Sequence, residues 1–192
     1  MPRVGLTRQR LTEEAGRLAD EIGYDNVTLA ALARRFGVAG PSVFKHVTGQ
    51  DDLRQAIAVA ALDDYRTDLE RAVMGRSTGA AVRALLTTSR TWARDHPGRY
   101  AALSRVPTRG SAEHVAAANR VLAVLEAVVE GYGITGDDAI DAIRFVRSAL
   151  HGFSSLECAG AFELDRDLTR SFDRLTDVCD AVLASWNRAR VR

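Results

Sequence analysis

Residues 28–47, Thr-Leu-Ala-Ala-Leu-Ala-Arg-Arg-Phe-Gly-Val-Ala-Gly-Pro-Ser-Val-Phe-Lys-His-Val, decide how the chain is read. Thr28 is an N-cap, Leu29, Leu32, Ala33 and Phe36 form one stripe, and Gly37 ends the helix. Pro41 suits the first turn of another helix, which runs to about Val47. Upstream, Leu11, Ala15, Leu18, Ala19 and Ile22 mark one face of a helix that stops at Gly23. Three short helices with one apolar face each can bury those faces only against one another. The turn that carries Gly37 gives the bend of a helix-turn-helix. At roughly 100° per residue, Val43 and Val47 point into this unit, Lys45 points away with Ser42 and His46 on its flank, and Phe44 lies at the edge. Such a face beside a helix N-terminus suits a phosphate-lined major groove.

Outward from this stretch the chain stays helical. Apolar residues make up 46% of the 192 and aromatics only 6%, with no long period-two run of Val and Ile, so the reading contains no sheet. Thr48 to Asp51 form a weak capping box before a long helix from Gln50 towards Met74. Further helices are predicted over 80–95, 99–105, from Ser111 to about Glu130, from Thr135 or Gly136 to about Ala159, and from Asp167 to Asn187, with Pro107 to Gly110 as a loop. The helix after Ser111 carries Val115, Ala118, Leu122, Leu125 and Val129 on its stripe. The fold class is all-α with about nine helices. A helix-turn-helix DNA-binding domain spans 1–50, and a helical effector-binding and dimerisation domain spans 51–192.

Several chemistries lack their residues. His46, His96, His114 and His151 fall in four different elements, none in an HExxH pattern, and neither GxxxxGK nor GxSxG occurs. Cys158 and Cys179 form no CxxC and no metal-spaced pair. The chain is therefore not expected to be an enzyme, nor to hold a metal or a cofactor. No signal peptide and no membrane span is legible, so a cytoplasmic protein with no membrane partner is expected. A net charge of +1 leaves nucleic-acid binding open, because such a module needs only a local basic surface. Lys45 is the only lysine in the chain.

Residues 23–29 (Gly-Tyr-Asp-Asn-Val-Thr-Leu), 32–38, 42–47 and Asp52-Leu53 keep every spacing of a known signature. Over about residues 7–57 the chain resembles the TetR family of transcriptional regulators. The resemblance implies a homodimer on near-palindromic double-stranded operator DNA, and a repressor released by a small-molecule effector. It places Thr28 on a phosphate at the start of the second helix and Gly40, Pro41, Ser42 and Lys45 against bases. Phe44 and His46 would lie against the DNA backbone, and Gln50 would meet a phosphate. Three positions depart from the family pattern. Phe44 stands where tyrosine is common and cannot donate a hydrogen bond, Gln50 replaces a lysine, and Ala39 replaces a serine that caps the recognition helix. Each lost neutral hydrogen bond costs about 1 kcal/mol.

Two seams run through the C-terminal part. Ala139, Ile143, Val146, Leu150 and Phe153 recur at steps of three and four, as do Leu168, Phe172, Leu175, Cys179, Val182 and Trp186. Packing within the chain and packing between subunits both satisfy this pattern. The resemblance favours a dimer interface of Ile143, Val146, Leu150, Phe172, Leu175, Cys179, Val182 and Trp186. Leu150-His151-Gly152-Phe153 resembles a TetR subgroup marked by Trp-His-Gly, with Leu150 in place of the tryptophan. Gly152 inside a helix points to a close backbone approach or to room for a ligand. Trp92, Tyr100, Leu103, Leu122, Phe145 and His151 are the candidate lining of an apolar effector pocket. A DNA-binding regulator without an effector, or one responding to oxidation of Cys158 and Cys179, are the competing readings.

Overall fold

A computed structural model describes residues 5–105 and 111–186, so the whole of the predicted loop at 107–110 and Asn187 lie outside the described residues. Among them are nine α-helices and no strand: α1 (Arg8–Ile22), α2 (Leu29–Phe36), α3 (Gly40–Phe44), α4 (Gln50–Val73), α5 (Thr78–Asp95), α6 (Pro97–Leu103), α7 (Ala112–Glu130), α8 (Asp137–Cys158) and α9 (Leu168–Ser185). A single 3-10 turn, Tyr24–Asn26, follows α1. No helix among the described residues is long and apolar enough to cross a membrane.

The chain forms two compact units. The first comprises Met1–Asp64 and Asp95–Asn119, the second Tyr65–Arg94 and Arg120–Arg192. This division differs from a cut after residue 50, because α4 contributes to both units and α6 belongs with the first.

In the first unit, the Thr7 hydroxyl caps α1 by accepting from the Arg10 N–H at 3.2 Å. Leu11, Ala15, Leu18 and Ala19 are buried as their spacing demands, whereas Ile22 at the last turn is exposed. They pack with Leu32 and Ala33 of α2, Val43 and Val47, and Leu53, Ile57 and Ala58 of α4. Gly37 ends α2 in the left-handed region at φ 63°, which favours glycine over any residue with a Cβ. Pro97 opens α6 from a first-turn position, so this helix starts two residues earlier than predicted. α6 lies against α1 so closely that a Cβ on Gly98 would stand 1.9 Å from the Ala19 carbonyl oxygen. Of the two readings of Gly152, a close backbone approach or room for a ligand, the first is not met. A Cβ on Gly152 meets nothing within 4 Å.

In the second unit α8 buries Ala139, Ala142, Ile143, Val146, Leu150 and Ser154, and α9 buries Phe172, Thr176, Cys179 and Leu183. Five of the eight residues predicted for a dimer interface, Ile143, Val146, Leu150, Phe172 and Cys179, are thus core of a single chain. Leu175, Val182 and Trp186 are half-buried, and the Phe145 and Trp186 rings pack at 6.2 Å. The physical reason is that a three-and-four spacing fixes which face is apolar, not what covers it. Among the described residues, the large apolar side chains left exposed on these helices are Ile140, Leu156 and Val178. On α7 the buried stripe starts from His114 and Ala117, one register away from the predicted Val115, and Val115 and Leu122 are exposed.

Candidate nucleic-acid interface

The recognition surface starts from how α2 and α3 are capped. Thr28 Oγ1 accepts from the Ala31 N–H at 3.1 Å, as predicted for an N-cap. A second side chain serves the same helix end. Gln50 Oε1 accepts from the Leu29 N–H at 3.2 Å, and Gln50 Nε2 donates to the Val27 carbonyl at 2.6 Å. A lysine has no acceptor and cannot make both bonds, so glutamine here ties the start of α4 to the start of α2. The Gln50 side chain is therefore committed within the protein, where a phosphate contact was anticipated.

α3 is shorter than predicted, ending at Phe44, with Lys45 as its C-cap and no side-chain bond from Ala39 at its N-cap. Val43 and Val47 are fully buried and hold the helix down. The opposite side presents Pro41, Phe44 and Lys45 as exposed residues, with Gly40, Ser42 and His46 half-exposed. Phe44 is 57% exposed, an apolar ring left largely uncovered among the described residues. A Cβ on Gly40 would meet nothing within 4 Å and its backbone is not left-handed, so the chain's own packing does not require glycine there.

Lys45 is one of a few uncompensated cations on this unit. Three arginines near the helix-turn-helix are neutralised by the protein itself: Arg35 by Glu14 at 2.6 Å and Glu21 at 2.5 Å, Arg17 by Glu14 at 2.6 Å, and Arg8 by Asp52 at 2.5 Å, whereas Arg10 and Arg54 bond only backbone carbonyls. Lys45 has no ion-pair partner among the described residues, and neither has exposed Arg34 on α2, which sequence reasoning did not select. Arg34 is recognisable only once the carboxylates that absorb Arg35 are known.

Arg8 also braces the recognition helix. Its guanidinium donates to both Asp52 oxygens at 2.9 and 2.5 Å and to the His46 carbonyl at 3.0 Å. Asp52 in turn accepts from the Thr48 N–H at 2.8 Å and its hydroxyl at 3.2 Å, in place of the predicted capping partner Asp51. The Arg8 hydrogen bond holds the Asp52 carboxyl well below the usual carboxylate range. A carboxyl depressed on folding stabilises the fold fully above its unfolded pKa of about 4, and that contribution is lost as pH falls below this value. Because Arg8 is half exposed, solvent screening limits the pair to about 1 kcal/mol. Asp52→Asn should therefore lower stability by about that amount at neutral pH and flatten its decline between about pH 4 and pH 2. Urea melts across that range check it, and an unchanged pH profile would show that Asp52 is not the group responsible.

The six predicted pocket residues are not brought together within one unit. Tyr100 and Leu103 belong to the first unit, and Trp92, Leu122, Phe145 and His151 to the second. Trp92 is buried against Tyr65 with ring centroids 5.2 Å apart, and the Tyr65 and Ser89 hydroxyls bond at 2.7 Å beside it. Leu122 and His151 are exposed, so neither lines an enclosed space within the chain. His151 lies on the outward face of α8, opposite the buried row, and reaches Ser155 at 3.4 Å. Sequence reasoning overlooked the Arg90–Glu157 ion pair, bidentate at 2.7 and 2.5 Å, with the guanidinium 4.7 Å from the Phe172 ring centroid. Burial pushes the Cys158 and Cys179 thiols up, away from the reactive thiolate.

Comparison with known proteins bears on the same regions. Residues 11–57 match the family of bacterial regulatory proteins, tetR family, and residues 82–179 match the tetracyclin repressor-like C-terminal domain. An uncharacterised HTH-type transcriptional regulator of Mycobacterium tuberculosis, Rv0681, is 38% identical over 84% of this chain and 75% of its own length. Among solved structures, a protein of unknown function from Rhodococcus sp. RHA1 superposes with a TM-score of 0.80 at 21% identity, covering 96% of this chain and 99% of that one. A TetR variant from Acinetobacter baumannii AYE in complex with minocycline gives a TM-score of 0.66 at 20% identity over 98% of this chain and 100% of that one.

Proposed function

Because the chain belongs to the TetR family of bacterial regulatory proteins, we propose that it is a repressor that binds operator DNA as a homodimer and leaves it when a small molecule binds. As a member it is a DNA-binding transcriptional regulator of helix-turn-helix type rather than an enzyme. Operator contact is assigned to residues 1–50, through Thr28, Ala39, Gly40, Pro41, Ser42, Phe44, Lys45 and His46, and effector binding and dimerisation to 51–192. Residues 150–153 resemble the Trp-His-Gly subgroup of that family.

The observation that carries it is the outward face of α3, where an exposed lysine has no ion-pair partner among the described residues while Arg8 and Arg35 are neutralised by carboxylates. A lysine in that position donates to guanine O6 or N7, or to phosphate. Lys45→Ala should weaken operator binding and leave the melting temperature unchanged, since the side chain is exposed and makes no hydrogen bond or ion pair among the described residues. Loss of a phosphate contact would lower the salt slope of log K by about one unit, and loss of a base contact would relax specificity at one position. Filter binding over a salt series on a selected operator measures both. Unchanged affinity together with unchanged base preference would remove Lys45 from the interface.

Effector release needs a ligand with different affinity for the DNA-competent and DNA-incompetent states, and about 1.4 kcal/mol of coupling already gives a tenfold loss of operator affinity. The A. baumannii relative's complex with minocycline supports a small-molecule effector here, as does the Trp92–Tyr65–Ser89 cluster with its polar pair in an apolar surround. An oxidation-responsive reading is disfavoured for Cys179, which is buried with its thiol raised by that burial, while Cys158 is exposed and also has its thiol raised, by desolvation and by Glu157.

A further inference from the structure

One residue on the outward face of α3 is out of place beside a phosphate. Phe44 is 57% exposed, on a helix held down by the buried Val43 and Val47. A ring left to water is a cost that only a covering partner removes. The family resemblance sets this position against the DNA backbone, where the common tyrosine has a hydroxyl to donate. Phenylalanine keeps the ring and has no donor, so nothing in its chemistry ties it to a phosphate oxygen.

The residues beside the ring are equally unable to hydrogen-bond. Phe44 follows Pro41 by three positions and Gly40 by four, the spacings that bring residues onto one face of a helix. A helical side chain also leans back over the turn before it, which directs Phe44 towards that pair. Pro41 is exposed and has no N–H to offer. Ala39, also exposed, makes no side-chain cap. Gly40 is half-exposed, its backbone is not left-handed, and a Cβ there would meet nothing within 4 Å. The fold would accept alanine at position 40, so the space in front of the ring is left open for something outside the chain. Together these residues make an apolar patch on the same short helix as Ser42 and Lys45.

We propose that Phe44, Pro41 and Gly40 recognise thymine in the operator, taking its 5-methyl group between the two rings and over the bare Cα of Gly40. The proposal rests on the regulator reading and adds to it the base that this part of α3 selects. The thymine methyl is the apolar group that a base pair presents in the major groove. The groove edges of guanine, adenine and cytosine carry donors and acceptors, which an apolar patch would leave unpaired. Lys45, one position further on, supplies the charge that anchors the helix, and the patch discriminates between bases.

The test uses the full-length protein and duplex DNA. An operator is first selected from random-sequence duplexes. Deoxyuridine then replaces its thymines one at a time, which removes a methyl group and nothing else. One thymine in each half-site should be sensitive, with affinity falling about fourfold per methyl, the equivalent of ~0.8 kcal/mol. Phe44→Ala should weaken binding and abolish the difference between thymine and deoxyuridine at that position only. Gly40→Ala should shrink the same difference, because its added carbon crowds the methyl. Phe44→Tyr should bind no tighter than wild type. Circular dichroism checks that each variant keeps its helices. Lower salt restores measurable binding to a weak variant, since it strengthens the phosphate contacts alone. The proposal is overturned if no thymine's methyl depends on Phe44, or if the selected half-site contains no thymine. Uniform weakening by Phe44→Ala at every sequence, with tighter binding by Phe44→Tyr, also overturns it and places the ring on the DNA backbone. Those outcomes leave the regulator reading intact, because a selected operator is already in hand. A selection that enriches no sequence overturns both, and that result is distinct from all the others.

Discussion

Gly98→Ala should destabilise the protein by about 3 kcal/mol or more, one of the largest effects expected of a single methyl group. The added carbon would stand 1.9 Å from the Ala19 carbonyl oxygen, 2.1 Å from its carbon and 2.6 Å from the Asp20 nitrogen. All three are backbone atoms of α1, so no rotamer change relieves the clash, and α6 has to retreat. Retreat strains the bonds from the Arg99 N–H and Nε to the two Asp20 carboxylate oxygens, at 2.9 and 2.7 Å, and uncovers Ala102, now fully buried. Gly152→Ala is the matching control. It lies inside α8 with nothing within 4 Å of the new carbon, so it should be neutral or stabilising by up to about 1 kcal/mol. Thermal melts of the two variants side by side check the pair. Equal stability would mean that α6 does not sit against α1 as described.

The second large effect concerns Arg90 and Glu157, whose side chains are only 9% and 11% exposed. Glu157→Gln leaves a guanidinium buried between Phe153 and Phe172 with its counter-charge gone. The expected loss is about 3 kcal/mol, since breaking a buried pair from one side leaves the other charge unpaired. Replacing both partners, Arg90→Met with Glu157→Met, should cost far less, because no charge then remains to be solvated. The Arg90 hydrogen bond lowers the Glu157 carboxyl. The pair's contribution is thus complete above the ordinary glutamate value of about 4.3 and is lost as pH falls below it. Denaturant unfolding at neutral pH should rank wild type near the double variant, with the single variant well below. If the double variant is as unstable as the single one, aromatic contact with the guanidinium matters more than charge.

What the sequence made legible was whatever depends on one helix at a time. Leu11, Ala15, Leu18 and Ala19 announce a buried face, and Val43 and Val47 fix by angle alone that Lys45 looks outward. Partners distant in sequence were not legible. The Gln50 side chain serves backbone groups 21 and 23 residues away, and Arg8 finds Asp52 across 44. No periodicity records such separations. The seam of α8 and α9 shows the same limit, since spacing identified Ile143, Val146, Leu150, Phe172 and Cys179 as apolar face without saying that their own chain covers them. Pro97 and Gly98 fall in the gap between the helices predicted over 80–95 and 99–105, and both residues break helices locally. The glycine's role is set instead by the backbone of α1, 79 positions upstream, and only the folded chain reveals it.

The path of the chain has one more consequence, for synthesis. It passes between the two units three times, at residues 64–65, 94–95 and 119–120. Residues 1–64 emerge from the ribosome with Ala19 and Asp20 still bare, because Gly98 and Arg99, which cover them, have not been made. At about 5–20 residues per second, the stretch from 65 to 119 takes roughly 3–11 s to synthesise. During that interval the nascent helix-turn-helix lacks the segment that completes its unit. An N-terminal fragment cut after α4 would be left permanently in this condition, so an early termination product should be a poor competitor of the full-length protein for DNA.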